Sequence, residues 1–177
     1  MRNRLRSIQP HRVKNRRSGF SLVESVISTL IVGLLLVTAS RSVSTSVITQ
    51  TKTADMVKAS VLADSLLSEV LSLSYMEPGL STSAITRESG ESGGSKVGYD
   101  DVDDFDGWKE KPPQYRDGSS MANLSSWQRS VTVQWITISN AGVVAVSGSE
   151  TNIKRIEVVV QANEVDVLTR QTLVTKL

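Results

Sequence analysis

The sequence predicts an α+β fold in which one long N-terminal α-helix is followed by an antiparallel β-sheet. Three observations carry this expectation. Residues 20–39 are apolar on nearly every side, with one carboxylate among them. Apolar residues then recur at helical spacing to about residue 75. From Trp127 onward the apolar period changes to two. A helical tract followed by consecutive strands is an α+β order of elements.

Residues 1–19 form a basic leader. Seven of the 20 Lys and Arg fall there with no acid, and Pro10 adds to its irregular, disordered character. The other 13 cations face all 18 carboxylates, so the chain beyond the leader is acidic. That balance, together with the lack of aromatic residues among the leader's cations, speaks against a nucleic-acid partner. The chain has no Cys, and its single His, His11, lies in the leader. Disulfides, thiolate or imidazole metal sites and a Ser/His triad are therefore excluded, and no enzymatic activity is expected.

The apolar run at residues 20–39 is membrane-length, since 20 helical residues span about 30 Å. All the cations of this region precede it, which places the N-terminus in the cytoplasm and the rest of the chain outside. Glu24 is the one charge in the run. A carboxylate at bilayer depth is costly and needs a partner, yet the nearest cations, Arg16 and Arg17, lie across Gly19 on the polar side.

Helical spacing continues beyond the span. Residues 49–75 contain neither Pro nor Gly. Ala59, Leu62, Ala63, Leu66, Val70 and Leu73 recur on one face, and Lys52, Asp55, Lys58 and Glu69 suit wet faces. The Ser-, Thr- and Val-rich stretch around residues 40–51 is a poor helix former and needs packing or a bilayer surface to hold it. Pro78 and Gly79 supply the stop. The expectation is one helix over 20–75, with a transmembrane first half and an amphipathic second half.

Residues 76–126 show no period and read as an irregular connector rich in Ser, Gly and acid. Asp100, Asp101, Asp103, Asp104 and Asp106 place five carboxylates in seven residues. Calcium favours such oxygen ligands, but the EF-hand frame fails: counting back from Gly107 gives Asp106, Asp104 and then Val102. The expectation is a solvated acidic turn anchored by Tyr99, Phe105 and Trp108. No metal site is assigned and no cofactor is expected; Asp103, Asp104 and Asp106 are the calcium candidates. The glycines of "SGESGGSK" lack both a preceding strand and phosphate-loop spacing.

Residues 127–177 read as an antiparallel meander of about four strands. Val131, Val133 and Trp135 share a face, while Ile136 and Ile138 switch side, which calls for a bulge or for a strand buried on both faces. Ile156, Val158 and Val160 alternate with Glu157, Val159 and Gln161. "SNAG" and "QANE" are the turns. Trp127 and Trp135 are expected in the core, and Glu150, Glu157 and Glu164 in solvent.

"RRSGFSLVESVISTLIVGLLL" resembles the leader and first helix of type IV prepilins and type II secretion pseudopilins. In that family a short basic leader ends in Gly, Phe is the first mature residue, and Glu is the fifth. The matching positions are Gly19, Phe20 and Glu24; Ser18 stands where a basic residue often precedes the glycine. More loosely, "KASVLADSLLSEVLSLSY" and "IKRIEVVVQANEVDVLTRQTLVTKL" are similar to the helix end and closing strands of minor pilins and minor pseudopilins. The resemblance implies a pilin-like fold and cleavage between Gly19 and Phe20 by a prepilin peptidase, with N-methylation of Phe20. It implies that Glu24 pairs with the Phe20 ammonium of a neighbouring subunit. It also implies assembly with other pilin or pseudopilin subunits in a bacterial inner-membrane-based filament, in contact with inner-membrane lipid. Two other readings stand beside it. One is a single-span membrane protein with an extracytoplasmic β-rich binding domain. The other is a secretory signal cut after Ala39, with Val37 and Ala39 as the small residues before the cut.

Overall fold

The computed structural model describes residues 19, 21–79, 84–88, 90–91, 94–140, 142 and 144–176. They form one long helix, α1 (Leu22–Leu71), and then a five-stranded antiparallel sheet, an α+β arrangement. The chain divides into two compact units after Ile48.

In the first unit, every residue from Leu22 to Ile48 is helical and exposed. This part of α1 is long and apolar enough to cross a membrane. Several of its hydroxyls are satisfied by the helix itself. Thr29 donates to the Ser25 carbonyl at 3.0 Å, Ser40 to Leu36 at 2.9 Å, Ser44 to Ser40 at 3.0 Å and Thr45 to Arg41 at 3.0 Å. Folding these donors back onto the preceding turn lets a Ser/Thr-rich stretch stay helical against an apolar surface.

The second unit begins at Thr49. Here α1 buries one stripe, Ala59, Leu62, Ala63, Leu66, Leu67 and Val70. These lie three and four residues apart, the spacing of one helix face. The helix stops at Leu71, earlier than Pro78 and Gly79 suggest. Ser72 bonds the Glu69 carbonyl with both its N–H (3.2 Å) and its hydroxyl (2.6 Å). Ser74 then leaves the helical path to bridge the connector: its N–H donates to Asp100 O at 3.3 Å and its O accepts from Val102 N at 3.0 Å.

The strands are β1 (Lys109–Glu110), β2 (Trp127–Ile138), β3 (Val144–Val146), β4 (Ile153–Ala162) and β5 (Val165–Thr175). Their order is β1-β2-β4-β5, with β3 paired to the far end of β2. The short β1 lies in the connector, where no alternation marks it. β2 and β4 pair from Trp127↔Ala162 to Trp135↔Lys154, which sets Val131 opposite Val158 and Val133 opposite Ile156. Those four residues are buried and face the stripe of α1. Trp135 and Ile136 are both buried because β2 changes partner there, from β4 to β3, beginning at Ile136↔Val146. The ladder irregularity instead falls between Val160 and Gln161. Asn163 and Glu164 take φ of 51° and 66°, so "QANE" is a tight turn with two left-handed residues between β4 and β5.

Candidate functional site

The residues singled out at the N-terminus meet the structure unevenly. Gly19 is exposed, and a Cβ there would meet nothing within 4 Å. Phe20 and the cations of the leader lie outside the described residues. Glu24 occupies the first turn of α1, where the helix dipole favours a negative charge. It is exposed and has no hydrogen bond or ion pair among the described residues. Around it Leu22, Val23, Val26 and Ile27 are 81%, 64%, 55% and 53% exposed, so apolar surface surrounds the carboxylate. In water such a face is unfavourable, and it needs lipid or other helices against it.

The connector is organised differently from the solvated turn read from its composition. Tyr99, Val102, Phe105 and Trp108 are buried in the core. Tyr99 meets Phe105 and Trp108 edge-on, with centroids 5.0 and 5.5 Å apart. Asp101, Asp103 and Asp104 are buried as well. They go inside because each has internal donors. Asp101 Oδ1 accepts the N–H of Asp103 (2.6 Å) and Asp104 (3.2 Å), and Asp104 Oδ2 accepts those of Asp100 (3.0 Å) and Asp101 (3.1 Å). Asp103 Oδ2 lies 2.6 Å from Lys154 Nζ. Asp106 Oδ1 accepts the N–H of Val133 at 2.9 Å. Asp103, Asp104 and Asp106 thus point to three different partners rather than to one centre. Burial, reinforced by Asp103 and Asp104, pushes Asp101 up to about 7. Burial, reinforced by the nearby Glu91 carboxyl and opposed by the backbone N–H groups, pushes Asp104 up to about 6.

Two buried cation centres tie the connector to the helix and sheet. Lys96 Nζ lies 2.9 Å from Glu69 Oε2, 3.4 Å from Glu110 Oε2 and 3.0 Å from the Gln114 carbonyl. Arg129 pairs with the same Glu110 and donates to the Leu62 carbonyl at 3.0 Å and the Gln114 carbonyl at 2.6 Å. Trp108 Nε1 also donates to Glu110, at 3.2 Å. In the second centre Lys154 holds Asp103, donates to the Tyr75 carbonyl and lies 4.1 and 4.7 Å from the Tyr75 and Trp135 ring centroids. Glu69 is therefore an internal partner rather than a wet-face residue. None of these pairings was read from the sequence, though one signal was there. Arg129 and Lys154 stand in the apolar phase of their strands, in step with Val131 and with Ile156.

A comparison with protein-family models finds no match, and neither curated proteins nor solved structures yield one.

Proposed function

We propose that the chain is a minor pilin-like or pseudopilin-like subunit of an inner-membrane-based filament, matured by a prepilin peptidase between Gly19 and Phe20. The observation that carries the reading is Glu24: one carboxylate without a partner among the described residues, five residues beyond Gly19, in the first turn of an apolar helix exposed through Ile48. Cleavage on the cytoplasmic side gives Phe20 a free ammonium. In a bundle of such helices the ammonium of one subunit meets the Glu24 of the next. Desolvation cancels much of the attraction, so the pair acts mainly on register: a subunit out of step leaves a buried charge uncompensated. The apolar half of α1 packs among neighbours and lipid, and the sheet unit is extracytoplasmic. The protein's work is assembly, without catalysis.

The intact mass of the chain recovered from membranes tests the maturation step. Cutting after Gly19 retains the helix, with a methyl group on Phe20. A secretory cut after Ala39 removes the helix, and a plain single-span anchor keeps all 177 residues. Gly19→Val is expected to stay at full length, because a side chain at the cut obstructs the peptidase. Normal trimming of that variant after residue 19 contradicts the reading.

A further inference from the structure

The two edges of the sheet are built differently. On one side β2 is flanked by the two-residue β1 and the three-residue β3. β1 runs directly into Pro112 and Pro113, and next to it the Trp108 carbonyl accepts the N–H of Val131. Short strands and prolines keep a sheet edge from pairing with another chain. The other edge is β5, 11 residues long and last in the strand order. It contains no Pro and, from Leu168 to Thr175, runs in unbroken register with β4. Its one irregularity leaves Val167 as an extra residue near the start. Arg170, the only charge in the unbroken run, is turned to the helix, where it meets Asp64 at 3.6 Å and the Ser60 hydroxyl at 3.0 Å.

The backbone of β5 meets that edge in a fixed alternation. The N–H of Lys176 donates to the Asn152 carbonyl at 3.0 Å, and further along Lys154 stands opposite Val174 and Ile156 opposite Thr172. In an antiparallel ladder every second residue turns its N–H and C=O to the same neighbour. The even-numbered residues from Leu168 to Lys176 therefore bond β4, while Thr169, Gln171, Leu173 and Thr175 turn theirs away from the sheet. Among the described residues no other element bonds to those outward groups. An unpaired row of this kind is a template for another extended chain.

We propose that this edge pairs with the β5 of a second copy of the chain, antiparallel and about a two-fold axis at Gln171. The strand is complementary to itself in that register. Thr169 stands opposite Leu173 of the second copy and Leu168 opposite Val174, each contact made twice by symmetry. Leu168 and Val174 both pack partly against the core on the helix side, so their apposition carries apolar surface across the junction. Val174 also lines an apolar groove with Leu71, Leu73, Tyr75 and Met76, and the second copy's Leu168 lies at that groove. Beyond the paired run Asp166 of each copy comes near Lys176 of the other, so the strand ends are complementary in charge. Centring on Arg170 sets two guanidiniums directly opposite each other, which destabilises a strand pair. Centring on Thr172 sets Leu168 against Lys176 and loses the apolar contact. The pairing goes beyond the filament reading and does not depend on it, since it uses the second unit alone.

The chain has no Cys, so disulfide trapping reports a single introduced position. The full-length chain in detergent micelles is oxidised with copper phenanthroline and run on a non-reducing gel. Gln171→Cys is expected to give a covalent dimer, since a hydrogen-bonded cross-strand pair holds its Cα atoms about 5.5 Å apart, within disulfide reach. Gln171 is exposed, so its replacement leaves the core untouched. Leu173→Cys alone is expected to stay monomeric, because the same residue of the second copy lies four positions out of register, about 13 Å away. Co-expressed Thr169→Cys and Leu173→Cys chains are expected to give the mixed dimer. Adding Asp166→Lys to the Gln171→Cys chain is expected to lower the yield about threefold or more, and Lys176→Asp on top of it to restore the yield. A Gln171→Cys chain that stays monomeric overturns the proposal. So does Leu173→Cys that crosslinks as readily as Gln171→Cys, the sign of association through the apolar helix or by random collision.

Discussion

Lys154 shows what single residues contribute to this fold. It occupies an inward position of β4, between a carboxylate, a backbone carbonyl and two aromatic rings, with no exposed surface. A buried pair of this kind need not raise stability above that of an apolar pair, but removing one partner strands the other. Lys154→Met is therefore expected to destabilise the sheet unit by roughly 3–5 kcal/mol, because Asp103 is left buried without its cation. Asp103→Leu combined with Lys154→Met is expected to recover much of that loss. Denaturant unfolding followed by Trp fluorescence gives both values, and an additive double variant contradicts the account. Half of this arrangement is legible in the sequence. Lys154 visibly breaks the apolar phase of Ile156, Val158 and Val160. Its partner is not legible, because Asp103 lies 51 positions away in a stretch without a period. The aspartates of that stretch look solvated by composition, and only the N–H groups that the chain turns toward them explain their burial.

At the scale of elements, α1 is one helix facing two environments. Residues 22–48 are exposed throughout among the described residues, whereas residues 59–70 bury a stripe against the sheet. Leu66 is 0% exposed and Leu35 is 61% exposed. Leu66→Ala is expected to cost the sheet unit about 2–5 kcal/mol, since it removes buried methyl groups and leaves a cavity. Leu35→Ala is expected to leave the unfolding midpoint in detergent unchanged. Equal shifts in the two variants contradict this division of the helix. The stripe, the meander and the turn at Asn163–Glu164 are readable because each repeats a local period or uses a turn signal. The end of the helix is not. Pro78 and Gly79 mark the last place a helix could reach, while the bridge from Ser74 to Asp100 and Val102 ends it sooner. The partner change in β2 is equally non-local, since it depends on where β3 and β4 meet the strand.

For the whole molecule, the central claim is that Glu24 has its partner in another subunit. The fold class was legible throughout, whereas the candidate site was legible only as a spacing: Gly19 precedes an apolar run that opens at Phe20 and holds Glu24 as its one charge, and among the described residues nothing pairs with Glu24. Glu24→Ala removes a charge from that run, so the variant is expected to remain in the membrane and to be processed normally. Assembly is expected to fail, because the neighbour's Phe20 ammonium then enters the helix bundle unpaired. Losing one member of a buried pair costs roughly 3–5 kcal/mol, which at about 1.4 kcal/mol per decade is a fall of about two orders of magnitude or more in incorporation. Glu24→Gln, which keeps the shape without the charge, is expected to be nearly as poor. The decisive measurement is the amount of mature Glu24→Ala chain that co-isolates with sheared filaments or partner subunits, relative to the amount in the membrane. The account predicts near-complete loss from the filament fraction at an unchanged membrane level. Wild-type recovery in the filament fraction contradicts it, since Glu24 would then have no partner in trans.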